Sequence, residues 1–244
     1  MRSTYLLVAH GSRDPRPQLG LEKLAQLLSE RLTQLANSAI NPPVVGSCTL
    51  EFGPNSLHEQ ICQFGEYTLS LGLKEVQVLP LFLLPGVHVK EDVPTEVAIA
   101  QQLLAQKLTI NLRSHLGSQV AGLTDWVARE MASAKTSKWI LLSHGSRRTN
   151  GNLPVEEIAA KVNAVTAYWS VMPSLEEKVA SLVHSGHQKI GIVPYFLFEG
   201  GIADAIAQTL QQLKQQFPLA RFHLAHPLGA SVELSNLILD LIEK

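Results

Sequence analysis

Two short segments carry the side chains with the clearest chemistry: His10-Gly11-Ser12-Arg13 and Gly86-Val87-His88-Val89-Lys90-Glu91-Asp92-Val93-Pro94. A neutral imidazole binds divalent first-row metals well and ordinarily titrates near pH ~6.5, so each histidine is a candidate metal ligand and a candidate proton acceptor. A nearby carboxylate can orient an imidazole or relieve it of a proton. Glu91 and Asp92 follow His88 closely, and Glu51 is a third acid to consider. Each segment also has a plainer reading. The first is a strand-to-helix turn in which Gly11 permits the bend and Ser12 or Asp14 caps the helix. In the second, Glu91 and Asp92 complement the positive end of a helix dipole.

Residues so far apart in sequence share a site only if the fold gathers them. Short apolar, β-rich runs predict strands at 5–9, 44–49, 75–80, 108–112, 139–143, 164–170, 189–194 and 221–225. Between them lie amphipathic stretches. Leu21, Leu24, Leu28, Leu32 and Leu35 keep helical spacing, as do Ile206, Leu210 and Leu213. Strands alternating with helices imply parallel sheets. Such sheets place ligands at the carboxyl ends of the strands. His10 follows the first strand, Glu51 the second, His88 the third and His115 the fourth, so all four belong to one rim.

The chain repeats itself. Leu6-Leu7-Val8-Ala9-His10-Gly11-Ser12-Arg13 returns as Leu141-Leu142-Ser143-His144-Gly145-Ser146-Arg147. Val78-Leu79-Pro80-Leu81-Phe82-Leu83-Leu84-Pro85-Gly86 returns as Ile192-Val193-Pro194-Tyr195-Phe196-Leu197-Phe198-Glu199-Gly200. Pro54-Asn55-Ser56-Leu57 matches Pro173-Ser174-Leu175, and Leu116-Gly117 matches Leu228-Gly229. Four matches in one order imply a duplicated α/β unit. The expected division is 1–120 and 121–244. Aligning Pro80 with Pro194 sets His88 against Ile202, so the amino-terminal copy is expected to hold the metal site.

Composition narrows the functional classes. The 244 residues carry 20 Lys+Arg, 21 Asp+Glu and a net charge of −1, which excludes a broad field for nucleic acid or an anionic membrane. Two cysteines, Cys48 and Cys62, exclude a disulfide scaffold and a cysteine-built metal cluster, and read as reduced, buried thiols. Residues 5–9 are too short for a signal-peptide core, and Pro80 and Pro85 break the apolar run 76–87, so a cytoplasmic protein is expected. Neither nucleotide-binding glycine fingerprint occurs.

Leu7-Val8-Ala9-His10-Gly11-Ser12-Arg13, together with Pro80-Leu81-Phe82-Leu83 through Gly86-Val87-His88 to Asp92-Val93-Pro94, resembles the sirohydrochlorin cobaltochelatase/ferrochelatase family, the CbiX/SirB type of class II chelatase. The likeness covers most of the chain. It implies a chelatase-like α/β fold of two similar domains, each a parallel β-sheet flanked by helices. It implies a lyase that inserts Fe2+ or Co2+ into sirohydrochlorin without ATP, for siroheme or cobalamin. No organic cofactor is implied; the metal is a substrate, with Ni2+ a further candidate in vitro. The partners are then sirohydrochlorin and the ion, with no nucleic acid or membrane, in a monomer or homodimer. The family's metal-binding histidines match His10 and His88, and Glu51 is the first choice for an assisting carboxylate, ahead of Glu91 and Asp92.

Since sirohydrochlorin carries many carboxylates, Arg13, Lys90, Arg147 and Arg148 are candidate partners. Ser12, Leu83, Gly86 and Val87 are candidate substrate contacts, although Leu81, Phe82, Leu83, Tyr195 and Phe196 also read as strand core. His144 is either a macrocycle contact or a structural remnant. The chain lacks the histidine-rich region and carboxy-terminal Cys-x-x-Cys of some cobalt-specific members. Two other functions fit the same residues: a non-catalytic tetrapyrrole or metal carrier, and a phosphatase-type hydrolase using a His-Gly loop. Against the latter, Ala9 stands where histidine phosphatases have arginine, and no nucleophile elbow occurs. His184-Ser185-Gly186-His187 reads as a helix cap, and His223 and His226 flank the last strand.

Overall fold

A computed structural model describes residues 4–35 and 42–243. Eight strands form two parallel four-stranded sheets. The first contains β1 (Thr4–Ala9), β2 (Val44–Thr49), β3 (Glu75–Pro80) and β4 (Thr109–Leu112), in the order β2-β1-β3-β4. The second contains β5 (Lys138–Ser143), β6 (Val165–Tyr168), β7 (Lys189–Pro194) and β8 (Arg221–Leu224), in the order β6-β5-β7-β8. The equivalent order is the structural signature of the duplication. The central strands β1, β5 and β7 are buried on both faces, as apolar runs without alternation require.

Helices α1 (Pro15–Leu35), α2 (Leu57–Ser70), α3 (Val93–Leu104), α4 (Val120–Ala132), α5 (Leu153–Lys161), α6 (Leu175–His184), α7 (Gly201–Gln216) and α8 (Val232–Ile242) connect or follow the strands. Their starts are written in the sequence. Asp14 accepts the Arg16 backbone N–H at 3.0 Å and so caps α1, with Pro15 at the first helical position. Ser56 and Ser174 each form a capping box with the glutamate three residues on, which explains why the Pro–Ser–Leu segment recurs. The Ser56 N–H and O–H both donate to Glu59, and those bonds hold the Glu59 carboxyl below its ordinary pKa. After His184, the His187 N–H donates to the Leu182 carbonyl and the Gly186 N–H to that of Val183, a complete helix cap as expected.

The predicted helical faces hold in part. Leu21, Leu24 and Leu28 are buried, whereas Leu35, the last residue of α1, is exposed. Ile206, Leu210 and Leu213 all enter the second core. Cys48 is buried and Cys62 half-buried, both as free thiols; burial pushes both thiol pKa values up.

The chain forms two compact units, and their membership is not contiguous. One contains the segment ending at Gln119 together with the segment beginning at Ala230; the other is Val120–Gly229. Relative to a division at 120 and 121, the difference is α8. It packs against α1, where Arg31 donates to Asn236 at 3.0 Å, and Arg113, directly after β4, donates to the Ile242 carbonyl. Helix α8 is apolar on several sides, with Leu234, Leu237, Ile238, Leu239 and Leu241 buried, so it needs an extensive partner surface. By the repeat, α4 follows β4 as α8 follows β8; α4 packs with α5 and β7 of the second unit. Among the described residues, no helix is long and apolar enough to cross a membrane.

This packing has a measurable cost if disturbed. Ile238→Ala, at a position with no solvent exposure, should lower unfolding free energy by about 2–5 kcal/mol. Val232→Ala, on the exposed side of the same helix, should change it by less than about 0.5 kcal/mol. Denaturant unfolding of the two variants checks this; equal losses would mean that α8 is not held through its apolar face.

Candidate metal centre

Strands β1 and β3 are neighbours, but the chain leaves β1 toward β2 on one side and reaches β3 on the other. The connections diverge there, opening a crevice at the carboxyl ends. His10 follows β1 and His88 begins the segment leading into α3. The backbone continues the β1–β2 pairing beyond both strands: Leu50 N–H donates to Ala9 (2.9 Å) and Glu51 N–H to His10 (2.8 Å). Glu51 is thereby tied to His10.

Gly11 makes that approach possible. Its φ is +96°, and a methyl group on its Cα would overlap the Glu51 carbonyl oxygen. Only glycine meets both conditions. In the second unit Gly145 has φ +83°, and Ser170 N–H donates to His144 at 2.9 Å.

The donor atoms of His10, Glu51 and His88 all lie within 4.8 Å of one another. The two imidazoles meet edge to face, with ring centres 4.8 Å apart and planes at 75°. His10 Nδ1–H donates to the Gly11 carbonyl at 3.1 Å, and His88 Nδ1–H donates to Asp92 Oδ2 at 2.7 Å. In those tautomers both Nε2 lone pairs are available to an ion. Ligand bonds of about 2.0–2.2 Å put donors of one ion at most ~4.4 Å apart, so small side-chain rotations complete the site. His10 and Glu51 are exposed and His88 is half-buried, which leaves an ion accessible to an incoming ligand. Phe82, 5.9 Å away between ring centres, packs beside His88.

His88 begins a single wide helical turn, His88–Asp92, closed by Val93 N–H donating to the His88 carbonyl. Such turns arise where a helix accommodates an extra residue. The repeat identifies that residue. In α3 the buried residues are Val93, Val97, Ala100 and Leu104, and in α7 they are Ile206, Leu210 and Leu213, in matching spacing. Val93 therefore corresponds to Ile206 while Pro80 corresponds to Pro194, which makes the first copy one residue longer between these points. The wide turn absorbs the extra residue beside His88 and sets Asp92 under its ring.

The second unit preserves the backbone and changes the donors. His144 Nδ1–H donates to the Gly145 carbonyl at 3.2 Å, as His10 does to Gly11. Hydrogen-bond register makes Ser170 the counterpart of Glu51; its hydroxyl donates to the His144 carbonyl at 2.9 Å. Ile202 occupies the position of His88 and packs against the core. One imidazole, a hydroxyl and a hydrocarbon make a poor site for a divalent ion.

The other candidates fall outside the donor cluster. Asp92 supports His88 through Nδ1, while Glu91 and Lys90 are exposed on the wide turn. Ser12 accepts the Asp14 N–H at 3.0 Å, Leu83 and Gly86 are half-buried, and Val87 is 39% exposed. Leu81 and Tyr195 are buried, and Phe82 and Phe196 pack against the two cores. Arg147 and Arg148 are exposed in the second unit. His115 is half-buried, and burial pulls its pKa down. His223 sits within β8 against Trp139 and Ser133, while His226 is exposed near Glu199. Sequence patterns gave no notice of Phe52, which follows Glu51 in left-handed backbone, or of Ser170 as the Glu51 counterpart.

The CbiX family model matches residues 4–134 and again 138–244. The sirohydrochlorin cobaltochelatase of Priestia megaterium is 24% identical over 256 residues, covering 99% of this chain and 79% of the relative. The sirohydrochlorin ferrochelatase of Bacillus subtilis (strain 168) is 23% identical, covering 100% of this chain and 92% of the relative. The solved structure of SirB from Bacillus subtilis with Fe3+ superposes with a TM-score of 0.75 at 22% identity, covering 100% of this chain and 95% of that one.

Two substitutions probe the assembly of the donors. Gly11→Ala should push Glu51 away from His10, weakening Co2+ binding and lowering stability by about 1–3 kcal/mol. Asp92→Ala should leave thermal stability close to wild type and weaken Co2+ binding about 10–100-fold, because His88 loses the group that orients it. Absorbance titration with Co2+ and thermal melts test both; wild-type Co2+ affinity in Asp92→Ala would remove Asp92 from the centre.

Proposed function

The chain belongs to the CbiX family, and from that membership and its His10–Glu51–His88 cluster we propose that it inserts Fe2+ or Co2+ into sirohydrochlorin without ATP. The observation that carries the reading is the convergence of two imidazoles and a carboxylate within 4.8 Å in one unit, with His144, Ser170 and Ile202 at the equivalent positions of the other. The reaction exchanges one divalent ion for two pyrrole protons. Nε2 of His10, Nε2 of His88 and the Glu51 carboxylate hold the ion, with its remaining positions open to water and the pyrrole nitrogens. As those nitrogens displace the protein donors, the released imidazoles and Glu51 become the nearest bases for the departing protons. An imidazole cannot bind the ion and a proton through the same atom, so the two roles follow one another. Asp92 keeps the His88 ring oriented throughout.

Arg13 and Lys90 are available to carboxylates around the macrocycle, with Ser12, Leu83, Gly86 and Val87 lining its approach. His144 and Arg147 stand on the equivalent loop of the second unit, where Ser170 and Ile202 replace the other two donors. The enzyme acts in the cytoplasm as a monomer or homodimer.

Purified protein should convert excess sirohydrochlorin over several turnovers when supplied anaerobically with Fe2+, Co2+ or Ni2+ in parallel, followed by absorbance. Multiple turnovers distinguish catalysis from stoichiometric carriage. His10→Ala and His88→Ala should each reduce kcat/KM about 100-fold or more, while His144→Ala should stay near wild type. Full activity in either of the first two variants would overturn the assignment.

A further inference from the structure

Phe52 is costly to the fold and unused by the metal chemistry. It directly follows Glu51 and has φ +58°, a region that a bulky L residue occupies only under strain. Its side chain recovers little by burial, being 55% exposed. Glycine would hold the same backbone without strain. The counterpart in the second unit is Val171, next to Ser170, and its φ is not positive. The strain therefore occurs in the copy that has the three metal donors and is absent from the copy that has lost them.

Arg13 accounts for the exposed ring. Its guanidinium lies over the Phe52 ring, 5.4 Å from the centre. Among the described residues, the other arginines of this unit are engaged: Arg16 with Asp14, Arg31 with Asn236, and Arg113 with the Ile242 carbonyl. Arg13 has no carboxylate or hydrogen-bond partner among the described residues. It comes from the loop that begins with His10, so an unpaired positive charge accompanies a cluster suited to a cation. A cation–π contact restrains the guanidinium and leaves its N–H groups free for a carboxylate, which an arginine can bind as a two-pronged donor.

We propose that Arg13 and Phe52 form a docking element for a peripheral carboxylate of the macrocycle. Arg13 binds the carboxylate, and Phe52 is a positioning residue that holds the guanidinium in register with Glu51. This rests on the chelatase reading and adds a residue that determines substrate affinity separately from metal affinity.

The test compares Phe52→Gly, Phe52→Tyr, Arg13→Ala and Arg13→Lys. Melting temperature, Co2+ affinity, binding of metal-free sirohydrochlorin by absorbance, and the separate kcat and KM for the macrocycle are measured. Phe52→Gly should melt at or above the wild-type temperature and bind Co2+ normally. Its Kd and KM for sirohydrochlorin should rise about tenfold with kcat nearly constant. Phe52→Tyr should restore affinity. Arg13→Ala should reproduce the loss, Arg13→Lys should recover only part of it, and Phe52→Gly combined with Arg13→Ala should be no worse than Arg13→Ala alone. A Phe52→Gly protein that keeps wild-type macrocycle affinity overturns the proposal, as does one that loses stability or Co2+ binding instead. If Phe52→Gly does not fold, Arg13→Ala with unchanged affinity is decisive against it. Wild-type protein that neither binds nor metallates sirohydrochlorin overturns the chelatase reading itself, whereas normal wild-type turnover with unaffected variants overturns only the docking element.

Discussion

The contact between Gly11 and the Glu51 backbone is the constraint around which the first unit is arranged. Two parallel strands normally diverge into separate loops where their pairing ends. Here the pairing runs two residues further, through Leu50 to Ala9 and Glu51 to His10, because Gly11 has no side chain to hold the loops apart. A carboxylate and an imidazole thereby share one short backbone ladder. The second imidazole comes from across the sheet, where β3 lies against β1 and Leu81 N–H donates to the Val8 carbonyl at 2.7 Å. The three donors are therefore held mainly by main-chain hydrogen bonds, and the side chains stay accessible.

That arrangement suits an ion that must leave. A resident structural metal is enclosed by a full set of donors and buried. Here two of three donor residues are exposed, while His10 and His88 are each oriented by a bond to Nδ1. The imidazoles are thus aimed without being immobilised in a closed cage. The second unit shows how little change dissolves such a site. Its backbone ladder and its His-Gly turn persist, but hydroxyl replaces carboxylate at Ser170, and Ile202 lies against the core in place of an imidazole.

Much of this was legible in the sequence because strands end where apolar runs end. Three of the eight observed strands have the expected bounds and the other five differ by one or two residues at one or both ends, and that places His10, Glu51 and His88 on a common rim. The Pro80–Pro194 match correctly set Ile202 against His88, but the extra residue absorbed at 88–92 became visible only through the buried spacing of α3 and α7. The strained backbone of Phe52 had no forewarning, since no residue type there demands left-handed geometry. Helix α8 illustrates a different gap. Its apolar faces announce that it must be covered, but periodicity cannot say by which part of the chain.

The pairing of α8 with α1 also imposes an order on biosynthesis. α1 precedes helices α2 to α7 in the chain, yet the helix that packs against it follows all of them. A nascent polypeptide can complete the second unit, which is one continuous segment, before it can complete the first. The unit with the His10–Glu51–His88 cluster is thus the last to close, joined by contacts of long sequence separation that form slowly.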